Sequence, residues 1–352
     1  MKNSFVKLKD VAKLEWGNTS ITKSSYVEVG FPAFSAAGSD GYLNHAEFEE
    51  DGIVLSAIGA RCGKCFKAYG KWTAIKNTIT IIPNKDKVDL NYLFTQLNDD
   101  KSWKISGAAQ PFITLATVRD RLIQLPPLAE QRRIAALLDT ADRIIKLRES
   151  AINKLEQLAH GMFTDMFSDQ TKYEFEEIKL GDCLRFINGR AYSQNELLDA
   201  GTPVIRIQNL NGGDRWYYSN LKLPEDKYCD YGDLLFAWSA TFGPYIWNGN
   251  KSIYHYHIWK IEPFKNINKI FAFYLLQSIT QKIRNASHGA SMLHMTKGGM
   301  EAWKIKLPSL DYQMRFVKFI NQLQPIEMAY KKSLQLSTEN KLSLQHQSFA
   351  VN

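Results

Sequence analysis

Residues 125–163 read LPPLAEQRRIAALLDTADRIIKLRESAINKLEQLAHGMF, and this stretch decides the fold. From Ile134 the apolar positions step by four and three, through Leu138, Ala141, Ile145, Arg148, Ile152, Leu155, Ala159, Met162 and Met166. That is a heptad seam on a long helix. Pro126 and Pro127 mark its start, because proline fits the first helical turn. At 1.5 Å per residue the seam spans roughly 50 Å. Arg148 is its polar member, and a single polar seam residue fixes register. A second line, Leu137, Ile144, Ala151 and Leu158, runs beside the seam. The apolar face is thus wider than two-stranded pairing needs, and the surplus is expected to cover a domain or another subunit. Ile134, Leu138, Ile145, Ile152, Leu155 and Met162 are the expected pairing residues.

LPSLDYQMR from Leu307 repeats LPPLAEQRR from Leu125. A second helix is expected after Pro308, through Phe316, Ile320, Leu323, Ile326, Tyr330 and Leu334. Phe316, Ile320, Leu323 and Leu334 are its pairing residues. Pro325 lies inside it and is expected to kink or interrupt it. Past Ser337 the match needs about four extra residues, about one helical turn, and then aligns Leu158 with Leu344 and Phe163 with Phe349. The repeat extends upstream. VKLKDVAKL from Val6 matches IKLGDCLRF from Ile178, and Gly17 matches Gly189. Gly52, Leu55, Ala57, Ala60, Gly63, Lys71 and Pro83 match Gly232, Leu235, Ala237, Ala240, Gly243, Lys251 and Pro263 in order. Gly107, Ala108 and Thr114 match Gly289, Ala290 and Thr296. The offset grows from 172 (Val6 to Ile178) to 182 (Leu125 to Leu307), as small loop insertions require. One unit, a globular domain followed by a helix, is used twice. The competing reading is two ordinary core helices, one per domain.

Each half reads as a mixed α/β domain. Gly52–Ile58 and Gly232–Trp238 have the pattern of buried strands, as do Thr78–Ile82 and His257–Ile261. Asn91–Leu97 and Ile270–Ile279 read as helices. The halves differ most in mid-domain, as a shared scaffold with different reading loops would. The first half offers Arg61 and Lys64 between glycines, then Lys71, Trp72, Lys76 and Asn77. The second offers Arg206, Gln208, Asn209, Trp216, Trp238, Thr241, His255 and His257. Arginine and lysine pair with guanine O6 and N7, asparagine and glutamine with adenine N6 and N7. Gln110, His288, His294 and Lys297 lie in Gly- and Ala-rich stretches before each helix. They are candidates either for DNA contact or for capping that junction. For every residue named, a solvated loop is the competing reading.

The formal net charge of +8 across 352 residues leans toward a polyanionic partner. The start, MKNSFVKLKD, lacks the apolar core of a signal peptide, and no apolar run reaches membrane-spanning length. The four cysteines form no disulfide framework, so a cytoplasmic protein with reduced thiols is expected. The pair Cys62 and Cys65 has no second CxxC, which favours packing over zinc. No Asn/Asp-Pro-Pro-aromatic methyltransferase signature occurs. Gly59–Lys64 is too short for a phosphate loop, and Cys65 stands where a magnesium-binding hydroxyl is needed. Glu225-Asp226-Lys227 lacks the upstream aspartate of a nuclease motif. No catalytic and no metal residue is assigned.

Taken with the repeat, LPPLAEQRRIAALLDTADRIIKLRESAINKLEQLAHGMF resembles the first central region of specificity subunits of type I restriction–modification systems. VKLKDVAKLEWGNT resembles their opening strand and turn, and IVLSAIGARCGKCF their glycine-lysine loop. Asp311-Tyr312 departs from Ala129-Glu130, and Ser309 from a proline. The resemblance implies an α/β (α+β) chain of two similar target-recognition domains, at 1–125 and 171–307. Two long helices paired as an antiparallel coiled coil, at 126–170 and 308–352, separate them in a pseudo-twofold plan. It implies double-stranded DNA as partner, each domain reading one part of a bipartite asymmetric site. Two modification subunits and the restriction subunits are the further partners. S-adenosylmethionine, ATP and Mg2+ belong on those partners, and no cofactor on this chain. The alternatives are a coiled-coil scaffold, and a solitary or silent specificity subunit without active partners.

Overall fold

A computed structural model describes residues 5–98, 102–107, 109–168, 175–286 and 296–349. The chain divides into two compact units, Met1–Ser150 with Lys331–Asn352, and Ala151–Tyr330. Each unit thus contains part of both long helices.

In the first unit the strands are β1 (Phe5–Lys7), β2 (Ala12–Trp16), β3 (Phe31–Ser35), β4 (Gly38–Leu43), β5 (Gly52–Ser56), β6 (Cys65–Ala68), β7 (Thr73–Ala74), β8 (Thr78–Pro83) and β9 (Leu122–Gln124). The helices are α1 (Leu90–Leu97), α2 (Leu115–Asp120) and the start of α3 (Leu128–Ser168). The sheet order is β2-β8-β5-β6, beside a sheet β4-β3-β7 and the pair β1-β9. The second unit runs β10 (Phe175–Lys179), β11 (Leu184–Asn188), β12 (Thr202–Ile205), α4 (Ile207–Leu210), β13 (Tyr217–Ser219), β14 (Tyr228–Cys229), β15 (Leu234–Ala237), β16 (Gly243–Ile246), β17 (Ser252–Tyr254) and β18 (Ile258–Pro263). It continues through α5 (Lys269–Ala286), α6 (Lys297–Glu301), β19 (Lys304–Pro308) and α7 (Leu310–Phe349). Its sheets are β11-β18-β15-β16, β13-β12-β17-β14 and β10-β19. Apart from α4 and β14, which the second unit adds, the same order of strands and helices is built twice, as the repeat requires.

The sheet registers correct one detail of that repeat. Leu55 pairs with Ile79 in the first unit, whereas Phe236 pairs with Trp259 in the second. Ile53, Leu55 and Ala57 therefore correspond to Leu234, Phe236 and Trp238, not to residues one earlier. Burial agrees: Leu55 and Phe236 face the main cores, and Val54 and Leu235 the smaller ones. Side chains alternate across a strand, so a one-residue slip changes the face. Letter identity at Leu55/Leu235 and Ala57/Ala237 concealed it.

Every described seam position of α3 from Ile134 to Met166 is buried or half-buried. Ile134 and Leu138 enter the first unit's core with Tyr92 and Leu93, against which Leu344 and Phe349 pack. In that unit Arg148 donates to Ser337 Oγ at 2.6 Å, and Lys341 to Asp142 at 2.5 Å. Rising numbers on α3 meet falling numbers on α7, so the pairing is antiparallel, and Arg148 occupies the register-setting place read from the sequence. In the second unit Phe163 meets Phe316 at 5.3 Å, and Tyr312 donates to the carbonyl of Met166. Here too the helices run antiparallel. Ile152 and Ile320 are buried, and Leu155, Met162 and Leu323 half-buried; Ile145 and Leu334 are half-buried in the first unit.

Two expectations for α7 change. The helix continues through Pro325. Pro325 and Asn321, whose carbonyl loses its helical partner to the proline, are both exposed residues. Ile326 is exposed and Glu327 takes the seam place. Of the apolar line beside the α3 seam, Leu137 is 43% exposed, Ile144 39% and Leu158 50%, while Ala151 is half-buried; Leu147, outside that line, is 68% exposed.

One side chain fixes each helix to its domain. Gln131 is wholly buried; its Oε1 accepts from Asp89 N, and its Nε2 donates to the carbonyls of Lys87 and Pro126. Gln313 is equally buried, accepts from Asn268 N and donates to the carbonyls of Asn266 and Pro308. Asp89 and Asn268 are themselves acceptors at the starts of α1 and α5. The glutamine of each repeat thus satisfies three backbone groups where a domain hands its chain to a long helix.

Candidate nucleic-acid interface

In the first unit, one end of the β2-β8-β5-β6 sheet gathers three loops. Ala57 N donates to Asn77 O, Ile113 N to Ala57 O and Gly59 N to Pro111 O. Gly59 and Gly63 take φ of 107° and 96°, which lets the turn after β5 double back. This brings exposed Arg61, Lys64, Lys76, Asn77 and Gln110 to one end. Arg61 Nη1 donates to the carbonyl of Ala37 at 2.7 Å, which holds the arginine across the β3–β4 turn. Cys62 and Cys65 are buried, and their thiols donate to the carbonyls of Ala57 and Leu97. Burial pushes the Cys65 thiol up to about 12, which keeps it protonated.

Two candidates lie elsewhere. Ala68, the last residue of β6, pairs with Gly52 at the opposite end of the sheet, and Lys71 and Trp72 follow it. Lys71 pairs with Glu49 at 2.9 Å. Trp72 is 0% exposed, stacks on Phe48 at 4.4 Å and donates Nε1 to the carbonyl of Glu50. It is a core residue, not a DNA contact. An indole beside lysines reads the same in sequence whichever face its strand presents.

In the second unit the corresponding end is more aromatic. Arg206 follows β12, and His255 N donates to Ile205 O, so Arg206 and the His255–His257 turn are neighbours. Trp238 N donates to His257 O, and Trp238 Nε1 to Tyr256 O at 2.7 Å. Thr241 is exposed in the next turn and accepts from Asn211. Lys297, at the start of α6, sits 3.5 Å from Glu301. Asn209 is buried: its Oδ1 accepts from Arg206 N and its Nδ2 donates to Arg215 O. It shapes the reading loop from inside and is not itself a base contact. Gln208 stays exposed while its Nε2 donates to Arg215 O. Trp216 is half-buried against Trp247, at 6.2 Å. His288 and His294 lie outside the described residues.

Sequence reading missed Arg190, Tyr192, Tyr217 and Tyr256. Arg190 lies over Tyr192, and Arg206 and Arg215 each over Tyr217, all at 5.2 Å. Arg190 also pairs with Glu196, and with the backbone amide of Ser193 it holds that carboxyl down at about 2. The clue was the matched Gly189, which lets Arg190 N reach Tyr254 O across two sheets. A Cβ on Gly189 would lie 2.2 Å from His255 O, and one on Gly17 2.3 Å from Ile75 O, so both copies need glycine there.

Burial, with His257 and Arg206 adding to it, pushes the His255 imidazole down to about 4. It is neutral at neutral pH, one nitrogen donating and one accepting. In the unfolded chain it titrates near 6.5. Between those values the unfolded chain binds more protons, so His255 should make the second domain less stable as pH falls from about 6.5 to about 4. An NMR titration should place its midpoint near 4, and His255→Gln should flatten that limb of the stability curve. A midpoint near 6.5 would contradict the burial.

A family model for the type I restriction modification DNA specificity domain matches the chain twice, at residues 2–157 and 172–336. The chain belongs to the type I restriction–modification specificity subunits. As a specificity subunit it is a non-catalytic component of DNA target recognition. Among its relatives is the type I restriction enzyme MjaVIII specificity subunit of Methanocaldococcus jannaschii, 24% identical over 346 residues, covering 85% of this subunit and 81% of the relative. Another is the putative specificity subunit S.HindORF215P of Haemophilus influenzae, 21% identical over 94% of this subunit and 90% of the relative. The S subunit of the type I system from M. genitalium matches over 100% of this subunit and 97% of its own chain, with a TM-score of 0.63 at 16% identity. A structure of type I restriction–modification complex assembly matches with a TM-score of 0.57, also at 16% identity. Those two likenesses show the fold. Among the described residues of this specificity subunit, no helix is long and apolar enough to cross a membrane.

Proposed function

We propose that this specificity subunit reads a bipartite, asymmetric site on double-stranded DNA, one part with each of the domains at 1–125 and 171–307. The observation that carries this is one frame presenting two chemistries. At the turn before β8 the first domain offers Ile75-Lys76-Asn77, and before β18 the second offers His255-Tyr256-His257. A lysine and an amide against neutral and aromatic groups suit different base edges. The segments at 126–170 and 308–352 are the helical spacers. Exposed Leu137, Ile144 and Leu158 of the line beside the seam, with exposed Leu147 near them, support their use as docking surfaces, because scattered apolar residues need no partner but a row of them does. Two modification subunits dock there, and restriction subunits join them, in the cytoplasm. S-adenosylmethionine, ATP and Mg2+ serve those partners in methylating adenine N6 and in cleavage; this chain binds none of them.

A methylation map of DNA from cells expressing this subunit with its partners tests the reading. A two-part motif with N6-methyladenine in each part is expected. Methylation by the purified chain alone would overturn it, and DNA binding indifferent to salt would favour a protein scaffold. Arg61→Ala is expected to cost about 1–3 kcal/mol in reading one half-site only. Lys64→Ala should lower the salt slope by about 1. Binding assays on duplexes altered in one half-site at a time check both, and equal loss at the two half-sites would contradict modular reading.

A further inference from the structure

A slot of about 310 Å3 opens beside the reading turn of the second domain, lined by Asn188, Trp238, Tyr256, Trp259, Thr296 and Lys297. The rings of Trp238 and Trp259 lie 6.1 Å apart and only 21° from parallel. The bond from Trp238 Nε1 to Tyr256 O holds the outer indole in place. Trp259 is buried, whereas Tyr256 is exposed and Trp238 half-buried, so the slot has a fixed floor and an open aromatic lip. Asn188 supplies an exposed amide, and Lys297 a cation.

The frame does not demand these rings. In the first domain the corresponding positions hold Ala57 for Trp238, Lys76 for Tyr256 and Ile79 for Trp259. The same sheet folds there with one buried aliphatic chain in place of the stacked indoles, and the exposed ring there is Trp16, which pairs with Ile79 where Asn188 pairs with Trp259. A stacked indole pair with a tyrosine lip, built in one copy and missing from the other, fits a ligand of that copy alone. A flat ring with a polar edge, carried on an anionic backbone, matches the parallel indoles, the amide and the lysine together. The volume lies at the small end of ligand sites, roughly 300 Å3, which suits one nucleotide and not a base pair.

The geometry points to this slot as the receptor for a single base turned out of the duplex, within the half-site that the second domain reads. The inference rests on the DNA-recognition reading. Aromatic faces stack on any base, and turning a base out is easiest where its pairing is already broken. A mismatch at the slot's position should therefore tighten binding, while mismatches elsewhere weaken it.

The test uses the full chain assembled with its modification subunits, and duplexes carrying one mismatch at each position of the mapped site in turn. At one position of the second half-site, binding should tighten about tenfold. Trp238→Ala and Tyr256→Ala should abolish that gain, and Trp238→Phe, which keeps a stacking face, should retain it. Tyr256 is exposed, so its truncation leaves the core packed and reports on the slot even where Trp238→Ala fails to fold. A gain that survives Tyr256→Ala and Trp238→Ala belongs to a partner subunit and overturns the assignment. So does sequence-specific binding in which every mismatch weakens the complex. Absence of any sequence preference in the unaltered complex would instead sink the DNA-recognition reading itself.

Discussion

Leu138→Asp is expected to unfold the first domain rather than merely loosen a helix pair. Leu138 is wholly enclosed in the core formed by Leu8, Leu55, Ile81, Tyr92 and Leu93, with Leu344 and Phe349 packed against it. Truncating such a leucine costs about 2–5 kcal/mol. A carboxylate there adds several kcal/mol more, because its nearest neighbours are hydrocarbon and its charge has no partner. The sum is comparable with the whole stability of a domain, about 5–15 kcal/mol. Denaturant unfolding with hydrogen exchange in β5 and β8 should show the first domain lost at room temperature. Leu137→Asp, one residue along on the exposed line, should leave that exchange unchanged. If both variants fold equally well, Leu138 does not occupy the core described above.

Gln131→Leu should produce the second largest effect, because it removes the polar atoms of a wholly buried side chain. The leucine would leave Asp89 N–H and the carbonyls of Lys87 and Pro126 without the wholly buried side chain that pairs them, each at a cost of about 1–3 kcal/mol. A loss of about 3–9 kcal/mol is expected from the first domain, and a like loss from the second in Gln313→Leu. Gln131→Glu separates polarity from geometry. It keeps the acceptor for Asp89 but sets a carboxylate against two carbonyls, so it should be nearly as damaging at neutral pH. Urea unfolding of the three variants checks this, and a change under about 1 kcal/mol in Gln131→Leu would mean that the bonds are not held in solution.

The glutamine shows where sequence reading stops. LPPLAEQRR and LPSLDYQMR announce a repeated junction and a helix start, and both are present. Nothing in either string says that the glutamine faces inward, because its partners, Asp89 and Asn268, lie 42 and 45 residues upstream. Trp72 and Asn209 carry the same lesson. Both residue types suit a DNA surface, yet Trp72 is fixed inside by a bond to Glu50, 22 residues back, and Asn209 by bonds that close its own loop from Arg206 to Arg215. Arg190 and Tyr256 went unread for the converse reason: neither belongs to a motif, and the parallel contact between Arg190 and His255 joins segments 65 residues apart.

By itself the sequence determined the duplication, the two helices and the heptad seam. These are written in periods of three and four residues and in ordered matches, all local to the chain. Tertiary structure alone decided which reading residues share a sheet end, which strand face each occupies, and that the two copies slip by one residue at β5 and β15. Strand pairing sets those, and pairing is a long-range choice: a single-residue shift exchanges inside for outside while leaving the string of letters almost as good a match as before.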